Sequence, residues 1–162
     1  MKKLVIVLVL GMIILSCSNG SDGPITGVIV DTGVHIKYLD ENGNNLIDNE
    51  IVESKINIYH KINNEWVGYY RSNLDYPKGI RIDEIENERY LLLFVSGVVD
   101  GNNISETKIE FSNRNELDII KTLIDNSNGN TIVHKVWYNG IVKWEWEWDS
   151  SKQTDRMFDI VK

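Results

Sequence analysis

Beyond residue 24, apolar and polar residues trade places at every second position. Val34, Ile36 and Tyr38 alternate with His35, Lys37 and Leu39, and Ile56, Ile58 and His60 alternate with Asn57, Tyr59 and Lys61. A period of two with β-branched and aromatic enrichment predicts strands. Asn63-Asn64 separates KINIYHKI from EWVGYYR, and because Asn tolerates the positive φ of a tight hairpin turn, residues 65–71 read as the returning strand. RYLLLFVSGVV and ISETKIEF, either side of Asp100-Gly101-Asn102-Asn103, read as a second pair. The nearly continuous apolar run RYLLLFV predicts a central strand covered on both faces. In NELDIIKTLID, Leu117, Ile120 and Ile124 fit helical spacing while Leu117, Ile119 and Leu123 fit alternation. The β-rich neighbourhood and the Ile and Thr content favour strand, ended by the turn DNSNGN.

The last hairpin carries the strongest turn signal, Asn139-Gly140, between two alternating runs. A two-residue turn pairs Tyr138 with Ile141. A constant register then sets Trp137 opposite Val142, Lys135 opposite Trp144, Val133 opposite Trp146 and Thr131 opposite Trp148, with His134 opposite Glu145 on the other face. Three of the five tryptophans fall in Lys143 to Trp148, and the face they share with Trp137, Val142 and Val133 is the more apolar one. It is therefore expected to pack inward, with Trp148 at the open end nearest solvent. The tail RMFDIVK alternates again and reads as a closing strand. Short strands, Gly/Asn turns and no clear helix predict an all-β fold, an antiparallel β-sandwich of Ig-like or related type.

The start of the chain adds location. Met1-Lys2-Lys3, the apolar run LVIVLVLGMIILS and Cys17 have the layout of a secretory signal, shorter in its apolar part than the roughly 20 residues of a membrane-spanning helix. Ile14-Leu15-Ser16-Cys17 resembles a bacterial lipobox, which implies acylation of Cys17 as the first mature residue. Cys17 is the only cysteine, so the chain has no disulfide framework and no second thiol for chemistry. The expected organisation is a signal peptide over 1–16, acylated Cys17 and a small polar tether over 17–24, and one β-sandwich domain over 25–162, a bacterial envelope protein with its globular part outside the cytoplasm. Losing Lys2 and Lys3 with the signal takes the net charge from −7 to −9. Such a surface repels phosphate backbones and anionic headgroups, which argues against nucleic acid as a partner and leaves the acyl chains as the membrane contact.

One loop has the composition of a cation site. Asp40, Asn42 and Asn44, with Asp48 further on, place oxygens at alternate positions around Gly43, as a Ca²⁺ ion requires. It is not an EF-hand, because loop positions six and twelve hold Asn45 and Ile51. The loop resembles the calcium-binding B-type repeats of bacterial surface adhesins, with Asn45 in place of their Gly; the alternative is an Asx-rich turn that caps its own backbone.

Taken together, the Asp40 to Asp48 loop, the Ile-rich hairpin from Lys55 to Tyr70 and the late Lys135 to Gly140 hairpin resemble a group of uncharacterised small lipoproteins of Bacteroidetes. That resemblance implies a secreted all-β lipoprotein domain and carries no catalytic residue with it. The residues themselves supply no nucleophile elbow and no zinc-type spacing, since His35, His60 and His134 stand far apart. His134 with Glu145 reads as a cross-strand salt bridge, and Asp83 to Glu88 as a solvated acidic turn. The expected function is a non-enzymatic binding or accessory module with a protein or glycan partner. Two other readings are a glycan-binding protein using Trp144, Trp146, Trp148 or Trp66, and a calcium-stabilised adhesin domain.

Overall fold

A computed structural model of the chain describes residues 27–147 and 154–162. The expected signal peptide, Cys17, the tether and Trp148 lie outside the described residues. Eleven strands are described: β1 (Val30–Asp31), β2 (Gly33–Leu39), β3 (Ile56–Ile62), β4 (Glu65–Gly68), β5 (Ile80–Ile85), β6 (Glu88–Phe94), β7 (Ile104–Phe111), β8 (Glu116–Asp125), β9 (Thr131–Tyr138), β10 (Ile141–Glu145) and β11 (Met157–Val161). They form two packed sheets, so the expected all-β sandwich is the fold. The larger runs β1-β9-β8-β7-β3-β4, with β10 also on β9, and the smaller runs β11-β2-β6-β5. Since β8 occupies one edge of β9 throughout, β1 and β10 share the other, β10 along residues 135–138 and β1 along 131–132. Two pairings are parallel, β1 with β9 and β11 with β2; the rest are antiparallel.

The core lies between the sheets. Val34, Ile36, Tyr38, Leu91, Leu93, Phe158 and Ile160 of the small sheet meet Ile56, Ile58, Ile109, Phe111, Ile120 and Val136 of the large one. The loop after β2 adds Leu46, Ile47 and Ile51, all buried. Each inward set follows the two-residue period, so β2, β3 and β11 stand as the sequence predicts. The segment 116–125 is strand, and its inward residues are Asp118, Ile120, Thr122 and Ile124, leaving Leu117, Ile119 and Leu123 outside.

Three expectations are corrected. First, β6 and β7 do not pair: β6 lies between β2 and β5 in the small sheet and β7 between β3 and β8 in the large one. The Asp100 turn closes a crossover between sheets, its Oδ1 accepting the N–H groups of Asn102 and Ile104 at 2.8 and 2.9 Å. Second, the partner of β6 is β5, and Asp83 to Glu88, with its solvated turn at Glu86 and Asn87, is the tip of their hairpin and not a free-standing loop. Glu86 and Asn87 take φ of 53° and 64°, the left-handed pair that Asn63 and Asn64 also adopt at 50° and 66°. Glu is rare in that region, which hides the turn in the sequence. The returning strand β4 is also shorter than expected, ending at Gly68.

Third, the β9–β10 register breaks. Tyr138 pairs with Ile141 and Trp137 with Val142, but an extra residue at Lys143 then sets Trp144 opposite Val136 and Glu145 opposite Lys135. Against β8, Leu123 pairs with Lys135 and Ile124 with Val133, leaving His134 without a partner position on β8. Each bulge moves the following side chains to the opposite face. Val133, Val136, Tyr138 and Trp144 therefore point inward, while Val142 is exposed and Trp137 is half-buried on the outside. Trp146, beyond the end of β10, is exposed as well, so of the described tryptophans on this hairpin Trp144 packs inward and Trp137 and Trp146 do not.

Candidate functional site

The Asp40 loop closes on itself. Asp40 Oδ1 accepts the backbone N–H groups of Asn42 and Asn44, each at 2.8 Å, and Oδ2 accepts Asn44 Nδ2 at 2.8 Å. The Asn44 side chain, ahead of these backbone contacts, holds the Asp40 carboxyl below its ordinary range. Asp48 takes a left-handed φ of 70°, and its carboxylate pairs with Arg89. Among the described residues, no three His, Cys, Asp or Glu side chains converge on a position that could hold a metal ion.

Trp66 lies on the outer face of the large sheet, about one third exposed. It opens a row that register carries across the sheet: Trp66 pairs with Lys61, Lys61 bonds Glu106 at 2.9 Å, Glu106 pairs with Lys121, Lys121 with Trp137 and Trp137 with Val142. Lys61 and Lys108 each stand 5.7 Å from the Trp66 ring centre, and Lys121 and Lys135 stand 5.7 and 5.3 Å from that of Trp137. Four strand spacings of ~4.8 Å put the two indoles roughly 19 Å apart. Trp144 is absent from this face; it is buried, and its Nε1 donates to Thr154 O at 3.1 Å. Trp146 stacks on His134 at 5.4 Å. The expected His134–Glu145 bridge is replaced, because the bulge hands Glu145 to Lys135 at 2.9 Å and leaves His134 3.8 Å from Asp125.

Two polar side chains of the inner face concern function more directly. Asp118, 1 % exposed, accepts Tyr38 Oη at 3.1 Å, Lys162 Nζ at 2.8 Å and Asn139 Nδ2 at 3.3 Å. Burial first, and Asp118 second, raise both Tyr38 and Tyr138 well above the ordinary tyrosine range, so both stay neutral. Lys162 also reaches Glu116 at 3.2 Å. This cluster is closed and satisfied.

His60 is the opposite case. It is 8 % exposed, and its buried Nε2 has no hydrogen-bond partner. Its strand alternates Ile56, Ile58 and His60 inward, so the position is set by period alone. Tyr69 lies over the imidazole at 4.4 Å between ring centres, and the Arg71 guanidinium lies 5.4 Å from the Tyr69 ring centre. Burial first, and the Arg71 charge second, pull the His60 pKa down to about 4, so the ring is neutral at pH 7. The stack lines a cleft of about 350 Å³ between the sheets. Its other walls are Val30, Thr32 and Thr131 on one side and Phe94, Val95 and Val98 on the other, with Ser96 and Gly97 between. Ser96 is anchored by its N–H to Thr107 Oγ1 at 2.9 Å and by its Oγ, which accepts Val98 N–H at 3.1 Å.

The cleft combines apolar walls, a few hydroxyls and one neutral imidazole, a composition that binds small molecules. No reading of the sequence singled out His60 or Arg71 for it. The inward period of His60 was visible in the sequence; the cleft was not, because its walls come from five separated segments. Comparison of the chain with protein-family models, with curated proteins and with solved structures finds no match.

Proposed function

We propose that this chain is a non-enzymatic binding module of a bacterial envelope, held at the outer membrane by acyl chains on Cys17, with the inter-sheet cleft at His60 as its binding site. The observation that carries the binding reading is the inter-sheet cleft itself, which joins apolar walls to one exposed guanidinium, Arg71, that has no acidic partner among the described residues. The anchoring half rests on the basic start, the short apolar run and the lone cysteine after Ser16. Cells fed a clickable palmitate analogue should label the wild-type chain and not Cys17→Ser; no label on wild type, or equal label on both, removes the anchor from the proposal.

A second reading has its own observation in the row from Trp66 to Trp137. Aromatic rings separated by charged and hydrogen-bonding side chains on one sheet face suit an extended glycan, the rings meeting sugar faces and the row meeting hydroxyls. Native gels cast with soluble polysaccharides test it: retardation of wild type that Trp66→Ala relieves supports glycan binding, and unchanged mobility in every polysaccharide ends it.

A further inference from the structure

We infer that the ligand of the His60 cleft is a small monocarboxylate with an apolar body, its carboxylate on the Arg71 guanidinium at the rim and its body between Tyr69, Phe94 and Val98. This rests on the cleft being the binding site.

Charge selects the class. The chain has 24 acidic residues against 17 basic ones, yet no Asp or Glu lines this cleft. Its one charged residue is Arg71, which has no acidic partner within 4.0 Å among the described residues and uses its side chain only for a 3.3 Å bond to Tyr70 O and the stack on Tyr69. A guanidinium without a carboxylate, at the mouth of an apolar cleft, is complementary to a carboxylate that arrives with the ligand. A cationic ligand would meet only that like charge. A sugar would find too few acceptors, because the polar groups here are scattered hydroxyls and one imidazole among valines and aromatic rings.

Geometry supports the same orientation. Arg71 is exposed, Tyr69 half-buried and His60 buried, each in contact with the next, so a ligand lying along them meets charge outermost and apolar surface beyond it. Gly79, at φ 70°, leaves room for the Tyr69 ring; a Cβ there would stand 2.9 Å from it. The ring is thus held in place by a close backbone approach rather than by a hydrogen bond.

The test uses the full lipidated chain in lipid nanodiscs, with empty nanodiscs as the blank, titrated calorimetrically with 3-phenylpropionate and with its neutral counterpart 3-phenylpropan-1-ol. The acid should bind about 10-fold tighter than the alcohol, and Arg71→Met should erase that difference while leaving the alcohol unaffected. Val98→Trp, at an exposed position on the rim, should abolish both, and Leu117→Ala, on the outer face of β8, should change neither. Equal binding of acid and alcohol, with Arg71→Met indistinguishable from wild type, overturns the ligand class and leaves the cleft as a site. Absence of binding by either compound, or binding that survives Val98→Trp, overturns the cleft as well.

Discussion

His60 and Asp118 face the same way from the same sheet, and both are more than nine-tenths buried. Asp118 would be the costlier of the two to bury, being a carboxylate, and it is the one surrounded by donors: a tyrosine hydroxyl, an ammonium and an amide. His60 has an aromatic ring above it and nothing to bond its Nε2. A buried polar group with its partners supplied is part of how the fold is specified. One without them, beneath the Tyr69 ring, is a cost that the packing around it has to offset.

Breaking the satisfied member should do the most damage. Asp118→Ala strands Tyr38, Asn139 and much of the charge on Lys162, and should cost about 3 kcal/mol in urea denaturation at pH 7. A loss below about 1 kcal/mol would mean that Glu116 alone satisfies Lys162. The next effect is acid sensitivity. The folded pKa of His60, about 4, lies below its unfolded value of 6.5, so its contribution is fully present above pH 6.5 and is lost as pH falls through 4. The whole loss amounts to about 3 kcal/mol, spread over that window. His60→Leu should remove this component from the stability profile, while the carboxylate-driven decline common to both proteins remains. At pH 7 the same variant should be more stable by about 1 kcal/mol, because an unsatisfied nitrogen is replaced by apolar volume; a destabilised His60→Leu would mean that the imidazole is bonded after all. The smallest effect concerns Asp40, an exposed carboxylate satisfied in the manner of Asp118 by its own loop. Thermal melts in EDTA and in excess Ca²⁺ should agree within about 1 °C, and a clear rise with Ca²⁺ would establish the cation reading of the loop.

Much of the sandwich was legible in the chain because one face of most strands is buried, which writes a period of two into the sequence. The Asn63-Asn64 and Asn139-Gly140 turns were legible because both need left-handed backbone that Asn and Gly accept. What could not be read was pairing beyond the nearest neighbour. The run before Asp100 and the run after it are adjacent in sequence and belong to different sheets, and no local signal distinguishes a hairpin turn from a crossover. The bulges at His134 and Lys143 were invisible for a related reason. Each inserts one residue without changing composition, and each reverses the inside and outside assignments that follow it, which is how Trp137 and Trp144, expected on one face, come to lie on opposite ones. Asp118 misleads in the other direction: hydropathy would send it outward, and only the donors brought by β2, the Asn139 turn and Lys162 make its burial tolerable.

The two-residue strand β1 has a mechanical meaning. It is held to the sandwich by its Val30 and Asp31 pairings with β9 and by Arg156, which donates to Asp31 O at 2.8 Å, pairs with the Asp31 carboxylate and lies 5.6 Å over Trp144. Val30 and Thr32 are also walls of the cleft. A load arriving along the chain from ahead of Gly27 would thus pull first on Val30, a wall of the cleft, and Arg156 is the rivet at Asp31 that keeps it from passing on to Thr32 and β2.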